Sequence, residues 1–386
     1  MGWVRTKALI EELSPAPSLT RWLLAGVLMA ITGVLLFMLH ASGMVKVLSA
    51  MDIWWVSLAP PGGWLLVFCL RCYLWDREVQ EYQFLQKEAQ YGQQQWDAWA
   101  KRHLAIPGSC VLLPDGVTAD MLQTIPEGRP PQQYALVRRI MGIPQDNQAV
   151  MKRCLGGVQT SLRQLSPALP LRITLLTDAC PDGMTDAFGA AWHELFPDRP
   201  VPDDISVTDS LSFSRVEDRI KQPVLTVDLI LVMQLNGGEA YSDGMAALLL
   251  TSDDVAQKYN LPHSARLLRP MPLDMAKFDD DLTLFLETQT VACRTSRVLG
   301  DAKAWTEKSA ELITRGGKMN TPWQAQDIDL LEKWCGIPGP FAPWLLTALA
   351  ADIVSLRKQS LLALFSTEQE HFISTLTPGS ENEFTG

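Results

Sequence analysis

Histidine, basic charge and recognisable catalytic motifs are what this chain has least of. Its five histidines (40, 103, 193, 263 and 371) are spread over 386 residues, and none pairs as H-E-x-x-H, the spacing that sets two imidazoles on one helix face for zinc. There is no G-x-S-x-G elbow for a nucleophilic serine. No G-x-x-x-x-G-K-[ST] loop is present to cradle phosphate, and no G-x-G-x-x-G opens a helix after a strand. A net charge of −10 excludes broad nucleic-acid binding, which needs a basic surface. Most of the acidity lies after residue 170. The seven cysteines (69, 72, 110, 154, 180, 293 and 335) are an odd, scattered set, which fits free thiols in a reducing compartment better than a disulfide framework. Cys69 and Cys72 form a C-x-x-C, but no second pair or nearby histidine completes a zinc site. They read as ordinary apolar positions or lipidation targets at a membrane edge.

What the chain does have is two long apolar stretches near its start. Trp22 to Leu39 (WLLAGVLMAITGVLLFML) is 18 residues without a charge, long enough at about 1.5 Å per residue to cross most of a hydrocarbon core. Ile53 to Leu70 (IWWVSLAPPGGWLLVFCL) is also uncharged. A signal peptide is the alternative for the first stretch. Its length exceeds an ordinary h-region of about 7–15 residues and no small-residue cleavage site follows, so a retained anchor is expected. In the second, Pro60, Pro61, Gly62 and Gly63 predict a kink, or a span that begins near Pro60. Trp54, Trp55, Trp64 and Trp75 suit interfacial anchoring. Cations flank the hairpin outside both spans (Arg5, Lys7 and Arg21; Arg71, Arg77, Lys87, Lys101 and Arg102), against Lys46 alone between them. That asymmetry places both termini in the cytoplasm.

Asp76 to Leu104 lacks proline and is rich in Gln, Glu, Lys and Ala, which predicts a helix leaving the membrane. Tyr82, Leu85, Ala89, Trp96 and Trp99 form its apolar stripe. The stripe packs on the chain's own domain or, as the alternative, forms a short coiled coil in a homodimer. Pro107 and Gly108 are expected to break the helix, with a first strand over 109–113. EGRPPQQ (127–133) marks an exposed loop, and Tyr134 to Met141 a strand or short helix.

The clearest fold signal runs from 171 to 270. Strands are predicted at 171–177, 205–208, 225–235, 245–251 and 265–268, with helices over 184–196, 215–220 and after Ser252. The expected fold class is therefore α/β, a mixed sheet with helices on at least one face. From 276 the chain is predicted helical through 366, including Phe341 to Leu364, and 367–386 a polar tail. The expected organisation is a tail (1–21), a transmembrane hairpin (22–75), a membrane-proximal helix (76–106), an α/β domain (107–275), a helical region packed on it (276–366) and the tail. No internal repeat is legible.

Three acidic clusters invite a metal reading. Asp178, Asp182 and Asp186 follow a strand, but sit in turn and N-cap chemistry. Asp279, Asp280 and Asp281 open a helix, where the dipole favours negative charge. Asp203 and Asp204 occupy a proline-flanked turn. His193 (AAWHELF) lies on a helix beside core residues. No catalytic, cofactor-binding or metal-ligating residue is assigned.

Two resemblances add to this reading. The segment Tyr241 to Arg269 (YSDGMAALLLTSDDVAQKYNLPHSARLLR) resembles part of the thiolase and ketoacyl-synthase fold through Asp243, Gly244, Ala246, Ala247, Thr251 and Ser252. There a small-residue turn leads into a strand, a T-S-capped helix and a strand ending near "ARL". The family's nucleophilic cysteine turn is not matched, since Pro181 follows Cys180. The resemblance implies a degenerate, catalytically inactive thiolase-like scaffold. A second likeness lies in the order of two spans, Trp75-Asp76-Arg77-Glu78, Tyr91-Gly92-Gln93-Gln94-Gln95-Trp96 with Trp99, and Cys110-Val111-Leu112-Leu113-Pro114-Asp115-Gly116. It is similar to inner-membrane proteins of bacterial type VI secretion loci, close to the type VI lipase adaptor family, whose members help load a toxic lipase on the secretion apparatus. That implies a bacterial inner-membrane adaptor with protein partners, the secretion apparatus or an effector, and no cofactor. An acyl-processing enzyme with a noncanonical thiolase-like pocket is the alternative.

Overall fold

The computed structural model describes residues 2–5, 12–43, 51–124, 136–144, 146–367 and 369–379. The chain divides into two compact units, Arg5–Gln95 and Met1–Val4 with Trp96–Gly386.

The first unit is built on α1 (Leu19–Ala41) and α2 (Ile53–Lys101). Both are long and apolar enough to cross a membrane, and only 6% of the most apolar window of each is buried, unlike a core helix. Pro60–Gly63 do not end the helix. α2 runs unbroken through both prolines for 49 residues, about 74 Å, so the second span and the membrane-proximal helix are one element. Proline at 61 frees the carbonyl four residues back, at Ser57. That carbonyl faces Gly33 of α1, where a Cβ would collide with it. Close approach of the two helices thus covers a backbone group that proline leaves unpaired.

The second unit takes the last turn of α2 and then β1 (His103–Leu112), α3 (Met121–Thr124), α4 (Asn147–Gly157), α5 (Gln159–Gln164), β2 (Leu171–Thr177), α6 (Met184–Leu195), β3 (Asp204–Thr208) and α7 (Ser214–Lys221). There follow β4 (Val227–Gln234), β5 (Gly244–Ser252), α8 (Asp253–Lys258), β6 (Ala265–Leu268), β7 (Met271–Pro272), α9 (Phe278–Thr288), β8 (Val298–Gly300) and α10 (Trp305–Lys318). β9 (Ile328–Leu330), α11 (Leu331–Cys335), α12 (Ala342–Arg357), β10 (Leu361–Ser366) and β11 (His371–Pro378) complete it.

The strands form one mixed sheet in the order β3-β2-β4-β5-β1-β6-β11-β10-β8-β9, with β7 paired to β11. This order contains a duplication. Leaving β7 aside, each half places its third strand beside its second, then its fourth, fifth and first. In each half the second strand is parallel to the third and fourth, and the fourth is antiparallel to the fifth. The two first strands, β1 and β6, meet antiparallel, as a pseudo-twofold axis between them requires. The sequence conceals the repeat because its strands and crossovers differ in length. The second and third strands have seven and five residues in one half and three each in the other, and the third-to-fourth crossover helix has eight against 16.

The C-terminal part departs most from the sequence reading. Residues 276–366 contribute β8, β9 and β10, and β11 occupies the expected polar tail. Leu361 to Ser366 is a short apolar run whose periodicity cannot separate strand from helix. In HFISTLTP the polarity misleads, because Ser374 and Thr375 are fully buried and Ser374 Oγ donates to the Leu268 carbonyl at 2.8 Å. Pro107 and Gly108 do not precede the first strand. They lie inside β1, where the register with β5 shifts between Ala105 and Gly108. The EGRPPQQ loop lies outside the described residues, and 136–140 is irregular.

α12 has twelve of its 16 residues buried and packs on β1, β5, β6, β10 and β11, which makes it the core helix of both halves. Its Asp352 accepts from Ser109 Oγ of β1, and burial pushes its carboxyl up to about 6.

Two predictions follow from these placements. Ending the chain after Thr367 removes β11, which pairs with both β6 and β10; the truncated protein is expected to lose its cooperative thermal transition by circular dichroism. A retained transition would show that the segment is a dispensable tail. Because the native carboxyl of Asp352 binds its proton more tightly than the unfolded one, its contribution to stability is greatest below about pH 4 and is lost as pH rises through about 6. Denaturant titrations of Asp352→Asn and wild type should therefore diverge in the variant's favour by about 1–3 kcal/mol between pH 4 and 7.5.

Candidate functional site

Ligands of α/β sheets bind beyond the carboxyl ends of parallel strands, and the duplication brings two such ends together. A cleft of about 790 Å³ opens where the third-to-fourth connections of both halves, 209–212 and 338–342, face the fourth-to-fifth turns at 240–241 and at 366–367 with 369–370. Each wall is fixed from behind by a buried polar side chain.

Gln234, at the end of β4, is 1% exposed. Its Nε2 donates to the Ser242 carbonyl at 2.8 Å and its Oε1 accepts from Phe341 N at 3.1 Å. One amide thus ties a turn of the first half to the head of α12. Gly339 passes so close that a Cβ would stand 2.5 Å from this amide. Asp178, after β2, accepts from Leu235 N at 3.1 Å, Asn236 N at 2.8 Å, Asn236 Nδ2 at 3.2 Å and the Tyr241 hydroxyl at 3.2 Å. Burial first, then the neighbouring Asp178 charge, raises the Tyr241 phenol above its ordinary range.

In the second half Asp301, fully buried, accepts from Trp305 Nε1 at 2.9 Å, Ser366 Oγ at 2.6 Å and Ser366 N at 2.5 Å. Desolvation outweighs these hydrogen bonds and holds its carboxyl at about 6. Trp344 Nε1 donates to the Leu211 carbonyl at 2.9 Å, and Phe213 packs on Phe365 with centroids 4.2 Å apart. At the rim Ser212 Oγ donates to Glu370 Oε2 at 2.7 Å and lies 2.8 Å from Ser214 Oγ.

Nucleophilic catalysis by Ser212 would need a base able to take its proton. Its partner is a carboxylate, and among the described residues neither histidine, cysteine nor lysine lines the cleft. The Glu370 carboxylate holds the hydroxyl in place.

The acidic residues singled out in the sequence do not converge. Asp178 holds the β4–β5 turn, Asp182 accepts from Cys180 Sγ at 3.4 Å, and Asp186 lies in the first turn of α6. Asp279 pairs with Arg315, Asp281 accepts from Asp274 N at 2.7 Å, and Asp280 shares the first turn of α9 with them. Asp203 and Asp204 are exposed at the start of β3, and His193 is exposed on α6. Cys69 and Cys72 are free thiols on α2. Among the described residues no group of three His, Cys, Asp or Glu could hold a metal ion. The cleft residues themselves were missed. Their one legible signal is Pro338-Gly339-Pro340 directly before an apolar helix.

No protein-family model matches the chain, and no curated protein matches it. Similar solved structures include AntDE:AntF, a type II polyketide acyl-carrier protein in complex with its ketosynthase bound to the hexaketide (10% identity, 72% of this chain and 100% of that one, TM-score 0.47). Cerulenin-bound OleA of Xanthomonas campestris is another (8% identity, 73% of this chain and 98% of that one, TM-score 0.44). So is 3-oxoacyl-(acyl carrier protein) synthase III of Xanthomonas oryzae (8% identity, 71% of this chain and 98% of that one, TM-score 0.43). At these values the chemistry of the cleft rests on this chain's own residues.

Gly339→Ala is expected to displace the Gln234 amide and leave two buried partners unpaired, lowering stability by about 1–3 kcal/mol in denaturant titration. Gly189→Ala, on α6 with open space around the new methyl, should not destabilise the protein.

Proposed function

We propose that this chain is a non-enzymatic adaptor or assembly factor of the bacterial inner membrane, anchored by α1 and α2 with both termini cytoplasmic, and that it presents its α/β domain to protein partners in type VI secretion effector loading. The observation that carries the reading is a cleft at strand carboxyl ends, roomy enough for a ligand, whose serine faces a carboxylate with no histidine, cysteine or lysine among the described lining residues. Two exposed apolar helices on the same chain supply the anchor. The residue strings given above supply the link to secretion. The size of the cleft also favours a second reading, an acyl-processing enzyme working through a noncanonical pocket.

Full-length protein purified from its native membrane in mild detergent is expected to bring secretion-apparatus components or one toxic effector with it, identified by mass spectrometry. A partner-free protein that hydrolyses or transfers acyl groups from acyl-CoA would overturn the adaptor reading and install the second.

A further inference from the structure

The cleft has a definite electrostatic character. Among the described residues its lining includes two acidic side chains, Asp209 and Glu370, and no lysine or arginine. Among the described residues neither carboxylate has an ion-pair partner, and Glu370 is met only by the neutral Ser212 hydroxyl, on one of its two oxygens. Arg139 approaches the 238–241 turn, where it donates to the Gly238 and Tyr241 carbonyls, but its charge is taken by Asp243. The same lining includes the apolar Leu211, Pro338, Pro340 and Phe341, of which Phe341 is buried and Pro340 exposed.

Apolar and acidic side chains lining one cleft match a side chain with a methylene stem and a cationic head. Arginine adds a planar fork that can bridge carboxylate oxygens. The same lining opposes a phosphate-bearing carrier, which among the described residues would meet two carboxylates and no compensating cation. At about 790 Å³ the cleft is in the upper range of small-ligand pockets, about 300–1,000 Å³, so it takes a short segment and not a lone side chain.

Building on the adaptor reading, we propose that the cleft receives an extended segment of the protein partner, seating one arginine or lysine with its stem on Leu211, Pro338, Pro340 and Phe341 and its head between Asp209 and Glu370. The two halves of the fold then act as two jaws, since each contributes one carboxylate.

The test uses full-length protein in nonionic detergent and fluorescein-labelled pentapeptides, Gly-Leu-X-Leu-Gly, with X as arginine, lysine, citrulline or glutamate, read by fluorescence anisotropy. The arginine and lysine peptides are expected to bind about fivefold or more tighter than citrulline, and glutamate weakest. Added salt should erode that margin. The double variant Asp209→Asn, Glu370→Gln should bring arginine down to the citrulline level while its thermal midpoint stays that of the wild type. Equal affinity for arginine and citrulline, an unaffected double variant, no peptide binding at all, or tighter binding of decanoyl-CoA than of any peptide would each overturn the proposal. Co-purification separates this failure from that of the adaptor reading. Partners retained by the double variant would leave the adaptor standing and remove the cleft from its interface, whereas absence of partners from the wild type removes the adaptor itself.

Discussion

Four residue pairs hold the two half-sheets in one sheet. His103 to Ile106 of β1 run antiparallel to Leu268 to Ala265 of β6, and this pairing sets the pseudo-twofold axis. Because the axis lies between the first strands, the equivalent crossovers of the halves converge and their connections come to face each other across the cleft. A one-residue slip at this seam would turn the buried Leu104 and Ile106 to the opposite face, so burial on both sides fixes the register. α12 reinforces it. A helix with an apolar surface nearly all round needs cover on every side, and only the joined sheet offers enough of it.

The cleft inherits its rigidity from polar groups that the core could accept only because they are satisfied. Gln234 places both ends of its amide on backbone groups, and Asp301 fills its two oxygens with three donors. Unpaired, each would cost far more than its hydrogen bonds return. The connections of the cleft are therefore fastened to strand ends, which suits a site that holds a ligand in one geometry.

The first half was legible where local and tertiary preferences agree. LRITLLT and the stretch through VDLILVMQ are apolar on both faces because the sheet is covered on both sides. Ser252, read as a cap, does accept from Val255 N at 3.3 Å. The second half was illegible for the converse reason. β8 and β9 are three residues long, too short to carry a period, and β11 buries serine and threonine that read as solvent-facing. The cleft was hidden because its residues, Asp209, Ser212, Pro338 and Glu370, come from connections more than 100 residues apart in places. Only the fold brings them together.

The acidic groups that were legible turned out to be local in their work. Asp178 organises a turn and Asp279 binds an arginine of the neighbouring helix. A carboxylate with such a partner has its field largely spent inside the structure. Asp209 and Glu370 differ, since among the described residues no cation pairs with them. Two charges of one sign at a concave mouth favour entry of the opposite sign before any contact is made, and more so at low ionic strength. A cleft can discriminate in this way through a difference in affinity that requires no chemistry.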